Sequence, residues 1–133
     1  MLLSIGTVTL AVDDHAAAVD WYTQWFDVAP YFERPGYSEF RVGATEQEFG
    51  IIDAAYVPGT IAGTAQTIYW SVEDVEDGLA QLLAAGATLA EPVVERGPGF
   101  RTAAVTDPFG HKLGIMENSH AAEVLTRIAP PSA

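Results

Sequence analysis

Apolar and polar residues alternate along the first patterned segment of the chain, residues 7–12. Period-two alternation predicts a strand, whose apolar face here consists of Val8, Leu10 and Val12. Asp13 or Asp14 follows and can cap a helix, because a carboxylate accepts hydrogen bonds from the free N–H groups of the first turn. This helix should run to about Phe26, with three apolar residues on one face: Val19, Tyr22 and Phe26. Three short strands are predicted next, at 28–33, 37–42 and 48–53.

A second segment follows the same order. Residues 67–72 alternate and lead into an acid-capped helix, whose apolar residues are Val75, Leu79, Leu82 and Leu83. Gly86 suits the position just after this helix, since glycine adopts the left-handed backbone conformation without strain. Strands are predicted at 88–94, 100–106 and 112–117, the last after a turn formed by Asp107-Pro-Phe-Gly110. Ser119 can then cap a terminal helix.

These two segments repeat each other. Val8-Thr-Leu-Ala-Val-Asp-Asp14 is similar to Ile68-Tyr-Trp-Ser-Val-Glu-Asp74, and Gly50-Ile-Ile-Asp53 is similar to Gly114-Ile-Met-Glu117. Two copies are too few for a solenoid and favour two tandem modules. We therefore predict a single α+β domain. Its parts are module one at 5–54, a linker containing proline and glycine at 55–64, module two at 65–118, and a C-terminal helix at 119–129.

The order of these motifs resembles the vicinal oxygen chelate superfamily, which includes glyoxalases, bleomycin-resistance proteins and extradiol dioxygenases. The matching segments are Val72-Glu-Asp-Val75, Ala85-Gly-Ala87, Thr106-Asp-Pro-Phe-Gly-His-Lys-Leu-Gly114 and the Trp21–Tyr22 pair on the first helix. Together they extend the resemblance over residues 5–118. The resemblance implies that two tandem βαβββ modules form a curved eight-stranded half-barrel with its helices outside. It also implies a homodimer.

The resemblance also implies where a metal site would lie. The family's ligands come from the first and last strands of each module, usually as His or Gln early and Glu late. On that pattern this chain has Thr7 and Thr67 at the early positions, and Gly50 and Gly114 at the late ones. A catalytic metal needs about three protein ligands of the His, Asp or Glu type. We therefore expect no metal and no other cofactor.

The two glycines suggest where a ligand can bind. On the concave face, glycine is expected to leave an unfilled volume that a small molecule can occupy. Strand alternation turns Tyr69 and Met116 towards this volume, and both side chains suit an aromatic ligand. Arg41 and Arg101 are the candidate charged groups. The predicted ligand-binding residues are Thr7, Tyr37, Arg41, Gly50, Thr67, Tyr69, Arg101, Gly114 and Met116.

Composition narrows the class of partner. The chain has 133 residues, no cysteine, and a formal net charge of −12 from 18 acidic and 6 basic residues. Without cysteine, disulfides and zinc–thiolate sites are excluded. The acidic balance opposes binding to nucleic acid and to anionic lipid. No apolar run approaches the ~20 residues of a membrane span, and the opening segment lacks the basic region and cleavage site of a secretion signal, so we expect a cytoplasmic protein.

The sequence assigns no catalytic residue. His15, His111 and His120 lie at the ends of elements, and the paired acids at the helix starts are typical of caps. The first hypothesis is a protein of the bleomycin-resistance type, which sequesters an aromatic or amphipathic small molecule without a metal. The alternative is a metal-independent enzyme of lyase or isomerase type, which acts through Glu39, Arg41, Lys112 or a tyrosine. A third hypothesis is a sensor or accessory domain that functions through dimer contacts.

Overall fold

The structure, a computed structural model, describes residue 5 and residues 7–57 and 67–128. The chain divides into two compact units, residues 1–62 and 63–133. Each unit contains one four-stranded sheet of mixed strand direction. The described elements therefore repeat the order strand, helix, three strands, so the prediction of an α+β chain built from two tandem βαβββ modules is confirmed.

The first unit has the strand order β1-β4-β3-β2. Strands β1 and β4 run parallel, and the other neighbours run antiparallel. Its elements are β1 (Thr7–Val12), α1 (His15–Phe26), β2 (Phe32–Arg34), β3 (Tyr37–Val42) and β4 (Gln47–Asp53). A short 3-10 turn, Ala54–Tyr56, follows β4.

The second unit has the same arrangement, with the strand order β5-β8-β7-β6. Strands β5 and β8 run parallel, and the remaining pairs run antiparallel. Its elements are β5 (Ile68–Ser71), α2 (Val75–Ala84), β6 (Thr88–Gly97), β7 (Phe100–Thr106), β8 (Lys112–Asn118) and α3 (Ser119–Ile128). None of the described helices is long and apolar enough to cross a membrane.

Each unit buries an apolar core between its sheet and the preceding helix. In the first unit, the rings of Tyr22 and Phe26 on α1 lie 5.6 Å and 5.1 Å from the ring of Phe49. Phe49 is 1% exposed, and burying a side chain of this size contributes about 2 kcal/mol. In the second unit, Leu82 of α2 and Ile115 of β8 are fully buried. The helix and the sheet of each unit therefore hold each other in place.

Most of the predicted helix caps are confirmed. The carboxylates of Asp14 and Asp74 accept hydrogen bonds from the first turns of α1 and α2. Gly86 follows α2 with a φ of +98°, as predicted. The cap predicted at Ser119 is wrong, because the Oδ1 atom of Asn118 accepts hydrogen bonds from the N–H groups of His120 and Ala121.

Two strands, β2 and β6, differ from the predicted bounds by more than one residue at one end, and three others, β4, β5 and β8, differ by single residues. The strand expected at 28–33 is reduced to Phe32–Arg34, because Pro30 has no N–H group to donate to a neighbouring strand. Strand β6 runs on to Gly97 instead of ending at Val94. It lies at the edge of its sheet, where Pro92 and irregular register are tolerated. Most of the predicted linker and residue 129 of the predicted terminal helix lie outside the described residues.

Candidate functional site

The face of each sheet turned away from α1 or α2 is called its far face. Residues paired across strands share a face, and faces alternate along a strand. Because Phe49 packs on α1, its neighbours Glu48 and Gly50 point to the far face of the first sheet. The residues that share this far face are Thr7, Thr9, Ala11, Phe32, Arg34, Tyr37, Glu39, Arg41, Glu48, Gly50 and Ile52.

A tyrosine ring covers Gly50 on the first far face. A Cβ atom built on Gly50 would lie 2.5 Å from the Oη atom of Tyr37 and 2.9 Å from its Cε1 atom. The volume that the sequence predicted to be unfilled is therefore occupied by Tyr37. The reason is the antiparallel register of β3 and β4, which pairs Tyr37 with Ile52, two residues from Gly50, within reach of a ring.

The hydroxyl of Tyr37 belongs to a hydrogen-bond network around Glu39. Tyr37 donates to Oε1 of Glu39 over 2.5 Å. The Tyr31 hydroxyl lies within hydrogen-bond distance of Oε2 of Glu39 and, at 2.9 Å, of Oε2 of Glu48, and its single hydrogen is donated to one of the two carboxylates at a time. Arg41 forms an ion pair with Glu48 at 3.3 Å, and its guanidinium lies 4.0 Å from the centre of the Tyr31 ring. Burial raises the pKa of the Glu39 carboxyl, Glu48 raises it further, and Arg41 opposes the shift. Glu39 thus takes up a proton at higher pH than an ordinary glutamate.

On the far face of the second sheet a tyrosine ring also covers a glycine, but the tyrosine comes from a different strand of the module. A Cβ atom built on Gly114 would lie 2.4 Å from Cδ1 and 2.8 Å from Cγ of Tyr69, so the Tyr69 ring covers this glycine too. Gly114 pairs with Ala104, and Ala104 pairs with Glu91 on the edge strand. The Tyr69 hydroxyl donates to Oε2 of Glu91 over 3.3 Å. Tyr69 therefore extends across a strip of two small residues, and the volume predicted above Gly114 is also filled.

An ion pair lies beside Tyr69. Lys112 donates to Oε1 of Glu91 over 2.5 Å. This hydrogen bond lowers the pKa of Glu91 and raises that of Lys112. Met116 and Thr102 share the same far face and pair with each other across β7 and β8. The second far face therefore presents a partly exposed tyrosine ring beside a fully ionised pair.

Most of the predicted site residues lie on the two far faces, but Arg101 does not. Thr7, Tyr37, Arg41 and Gly50 share the first far face, and Tyr69, Gly114 and Met116 share the second. Thr67 lies directly before β5.

Arg101 lies on the α2 side of the second sheet. It donates to Glu76 over 2.8 Å and to Oε2 of Glu117 over 2.5 Å. Glu117 also accepts from the N–H group of Val75 at the start of α2. These contacts lower the pKa of Glu117 and raise that of Arg101. Arg101 thus joins the start of α2 to its sheet, on the face opposite Tyr69.

Sequence reasoning did not single out Tyr31, Glu48 or Glu91, although each holds one of the tyrosine–glutamate networks together. Glu48 shares the period-two face of Gly50, which is a usable signal once that face is known to be polar. Tyr31 lies before a three-residue strand and Glu91 lies in a strand with register shifts, so alternation does not place them.

The residues at the family's metal positions do not fit a metal. Gly50 and Gly114 have no side-chain donor, and in both cases a tyrosine ring lies where a carboxylate would extend. Thr7 offers only a hydroxyl, a poor ligand for the transition metals. Across residues 7–57 and 67–128 there is no group of three or more histidine or carboxylate side chains that could hold a metal ion.

Comparisons with known proteins agree with this architecture. The family model for the glyoxalase/bleomycin resistance protein/dioxygenase superfamily matches residues 4–115. An uncharacterized protein of Mycobacterium bovis is 31% identical over 114 residues, covering 77% of this chain and 75% of its own.

Solved structures with lower sequence identity have a similar fold. The crystal structure of a superfamily member from Sphaerobacter thermophilus has a TM-score of 0.75 at 18% identity, covering 88% of this chain and 98% of its own. A family enzyme from Burkholderia phytofirmans has a TM-score of 0.72 at 17% identity, covering 86% and 98%. At these identities the structural likeness concerns the fold, whereas the family match and the relative carry the assignment. The chain belongs to the glyoxalase/bleomycin resistance protein/dioxygenase superfamily.

Proposed function

We propose that this chain is a small-molecule binding protein that works without a metal, in the manner of a bleomycin-resistance protein. One observation carries the proposal: in both units a tyrosine ring lies over the glycine that replaces the family's late metal ligand. A metal-binding carboxylate is thus exchanged for an aromatic surface. The change favours a ligand held by stacking and hydrogen bonds over one chelated through its oxygens.

The ligand chemistry follows from what borders the rings. The side chain of Tyr69 is 36% exposed, and the Lys112–Glu91 pair beside it offers one donor and one acceptor. The Tyr37 hydroxyl donates to the Glu39 carboxylate, and the guanidinium of Arg34 lies 5.7 Å from the centre of the Tyr37 ring. A flat aromatic molecule with polar substituents suits such surfaces, because its ring can stack while its substituents exchange hydrogen bonds with the paired charges.

Native mass spectrometry of the protein purified from its own host tests this function. We expect a retained organic ligand and no stoichiometric zinc, nickel, iron or manganese after dialysis. Tyr69→Ala should abolish retention of the ligand, whereas Tyr56→Ala, a change of an exposed tyrosine outside both far faces, should leave it. A stoichiometric transition metal, or equal retention by both variants, contradicts the proposal.

Catalysis without a metal is the second candidate, and the raised pKa of Glu39 is the observation that favours it. A carboxyl with a raised pKa takes up a proton at higher pH than an ordinary glutamate, which suits a group that accepts and returns a proton. Incubating the recovered ligand with protein distinguishes the two functions. Chemical conversion of the ligand that Glu39→Gln abolishes establishes an enzyme, and unchanged ligand after many equivalents establishes a binder.

We also propose a homodimer located in the cytoplasm. Apolar residues make up 49% of this chain, and a small domain with this composition gains from covering apolar surface with a second copy. Sedimentation equilibrium should give about twice the 14.2 kDa mass of one chain, and cell fractionation should recover the protein in the soluble fraction. A single-chain mass at micromolar concentration contradicts the dimer.

A further inference from the structure

A groove in the second unit lies on neither of the two tyrosine rings. It runs between α3, the segment that joins β5 to α2, and the end of β8, and has a volume of about 520 Å³. This volume falls within the range of ligand sites in proteins, roughly 300–1,000 Å³. Its lining residues are Ser71, Val72, Glu73, Gly99, Glu117, Asn118, Ser119, Ala122 and Leu125.

Hydrogen-bond acceptors in this groove are left free. Oε2 of Glu117 accepts from Arg101 and from the N–H group of Val75, but its Oε1 atom accepts nothing within the described part of the chain. Glu73 likewise has no hydrogen bond or ion pair to any described residue, and its side chain is exposed. The groove therefore combines one carboxylate held in a fixed position with a second, free one.

The other side of the groove is apolar. Val72 is half-buried at the end of β5, and α3 contributes Ala122 and Leu125. The side-chain donors that line the groove are uncharged, namely the hydroxyls of Ser71 and Ser119 and the amide of Asn118. The N–H groups at the start of α2 are engaged by Glu117 and Asp74, so they are not available to an anion.

We propose that this groove is a second binding site, specific for small organic ammonium ions with an apolar body. An ammonium group has three donors and no acceptor, which matches the free oxygens of Glu117 and Glu73. The apolar body then covers Val72 and Leu125. The net charge of −12 on the chain favours the approach of cations and opposes that of anions. The site is independent of the function proposed for the far faces.

Three probes of similar shape and different charge test the site at neutral pH: 2-phenylethylamine, 2-phenylethanol and 3-phenylpropionate. Each is titrated into the full ¹⁵N-labelled chain and followed by amide chemical shifts. The ammonium ion should bind with a dissociation constant of about 1 mM or lower, with shifts at Val72, Glu73, Ser119 and Ala122. The alcohol should bind roughly fivefold more weakly, and the carboxylate should not bind.

Two variants locate the site. Glu73→Gln should weaken binding of the ammonium ion by roughly fivefold and leave the alcohol unchanged, whereas Glu123→Gln, an equal charge change on the same helix as Ala122, should have no effect. Ala122→Trp should block both the ammonium ion and the alcohol by filling the groove. Equal binding of all three probes by the unchanged protein, shifts confined to Tyr69 and Lys112, or an unchanged affinity in Glu73→Gln would overturn the proposal.

Discussion

The two units place a tyrosine over equivalent glycines, but they take it from different strands. Tyr37 reaches Gly50 from β3, the antiparallel neighbour of β4. Tyr69 reaches Gly114 from β5, the parallel neighbour of β8. The glycines belong to the sequence repeat, whereas the tyrosines do not. The comparison indicates that a ring from either the parallel or the antiparallel neighbouring strand can cover the backbone of such a glycine.

The electrostatics of the two tyrosine–glutamate pairs differ in sign. In the first unit, burial and then the neighbouring carboxylate of Glu48 raise the pKa of Glu39. In the second unit, Glu91 faces Lys112, and its pKa is lowered. The carboxyl on the first far face therefore takes up a proton at higher pH than the carboxyl on the second. This difference makes the first face the candidate for proton transfer and the second the candidate for simple binding.

The largest effect is expected from Gly114→Ala. The new Cβ atom would meet Cγ of Tyr69, and because Cγ lies close to the backbone, the whole ring must leave. We expect the free energy of unfolding to fall by about 2 kcal/mol, measured by urea denaturation. Gly97→Ala is the control, since a Cβ atom there meets nothing within 4 Å. In a Tyr69→Ala background the cost of Gly114→Ala should disappear; an equal cost in both backgrounds contradicts the contact.

Gly50→Ala should cost less, which sharpens the comparison of the two rings. Its Cβ atom would meet Oη, Cε1 and Cζ of Tyr37, the far end of a side chain that can swing aside. The cost is mainly the lost hydrogen bond from Tyr37 to Glu39, about 1 kcal/mol. The same denaturation experiment measures it. A cost equal to that of Gly114→Ala shows that the two rings are held equally tightly and removes the distinction.

The opposite pKa shifts predict opposite effects of pH. In the unfolded chain both carboxyls titrate near the ordinary glutamate pKa of 4.5. The raised pKa of Glu39 means that stability is lost as pH rises from 4.5 through the folded-state pKa. The lowered pKa of Glu91 means that stability is present above 4.5 and lost as pH falls through its folded-state pKa. Side-chain ¹³C titration should place the Glu39 transition above that of Glu91.

Substitutions test the same dependence of stability on pH. Glu39→Gln should remove the loss of stability on the alkaline side of 4.5, and Glu91→Gln should remove the loss on the acid side, while Glu123→Gln should change neither. If both glutamates titrate at the same pH, the electrostatic contrast between the units does not exist.

The smallest effect is expected from the exposed ion pair of the first far face. The side chains of Arg41 and Glu48 are 49% and 33% exposed, so water and salt screen their attraction. Arg41→Gln should change the free energy of unfolding by less than about 0.5 kcal/mol. Sodium chloride at high concentration should abolish the difference between variant and parent. A larger or salt-independent loss of stability would mean that Arg41 stabilises the fold by stacking on Tyr31 and not by its ion pair with Glu48.

Much of the fold was predictable because each module repeats one local pattern. Alternation of apolar residues predicted the observed bounds of β1, β3 and β7, and the helical period predicted the end of α1 at Phe26. The failures arise where the pattern is broken. Pro30 shortens β2, and Pro92 lies in an edge strand whose irregular register no alternation predicts.

The candidate site was only half predictable. Alternation placed Tyr69, Gly114 and Met116 on one face, because a strand turns each second side chain the same way. It did not decide the face of Arg101, because β7 has apolar residues on both of its faces. The charge of a residue does not by itself indicate which face it occupies. The ion pairs with Glu76 and Glu117, distant in sequence, hold Arg101 at α2.

The sequence by itself determined the family, the two modules, their strand and helix order, and the loss of side-chain donors at the metal positions. These properties depend on residue identity and on periods of two and 3.6 residues, which are local. Only the tertiary structure decided that the glycine positions are covered. That outcome depends on strand register and on the reach of rings from neighbouring strands, so Tyr37 and Tyr69 fill space that their own segments do not reveal.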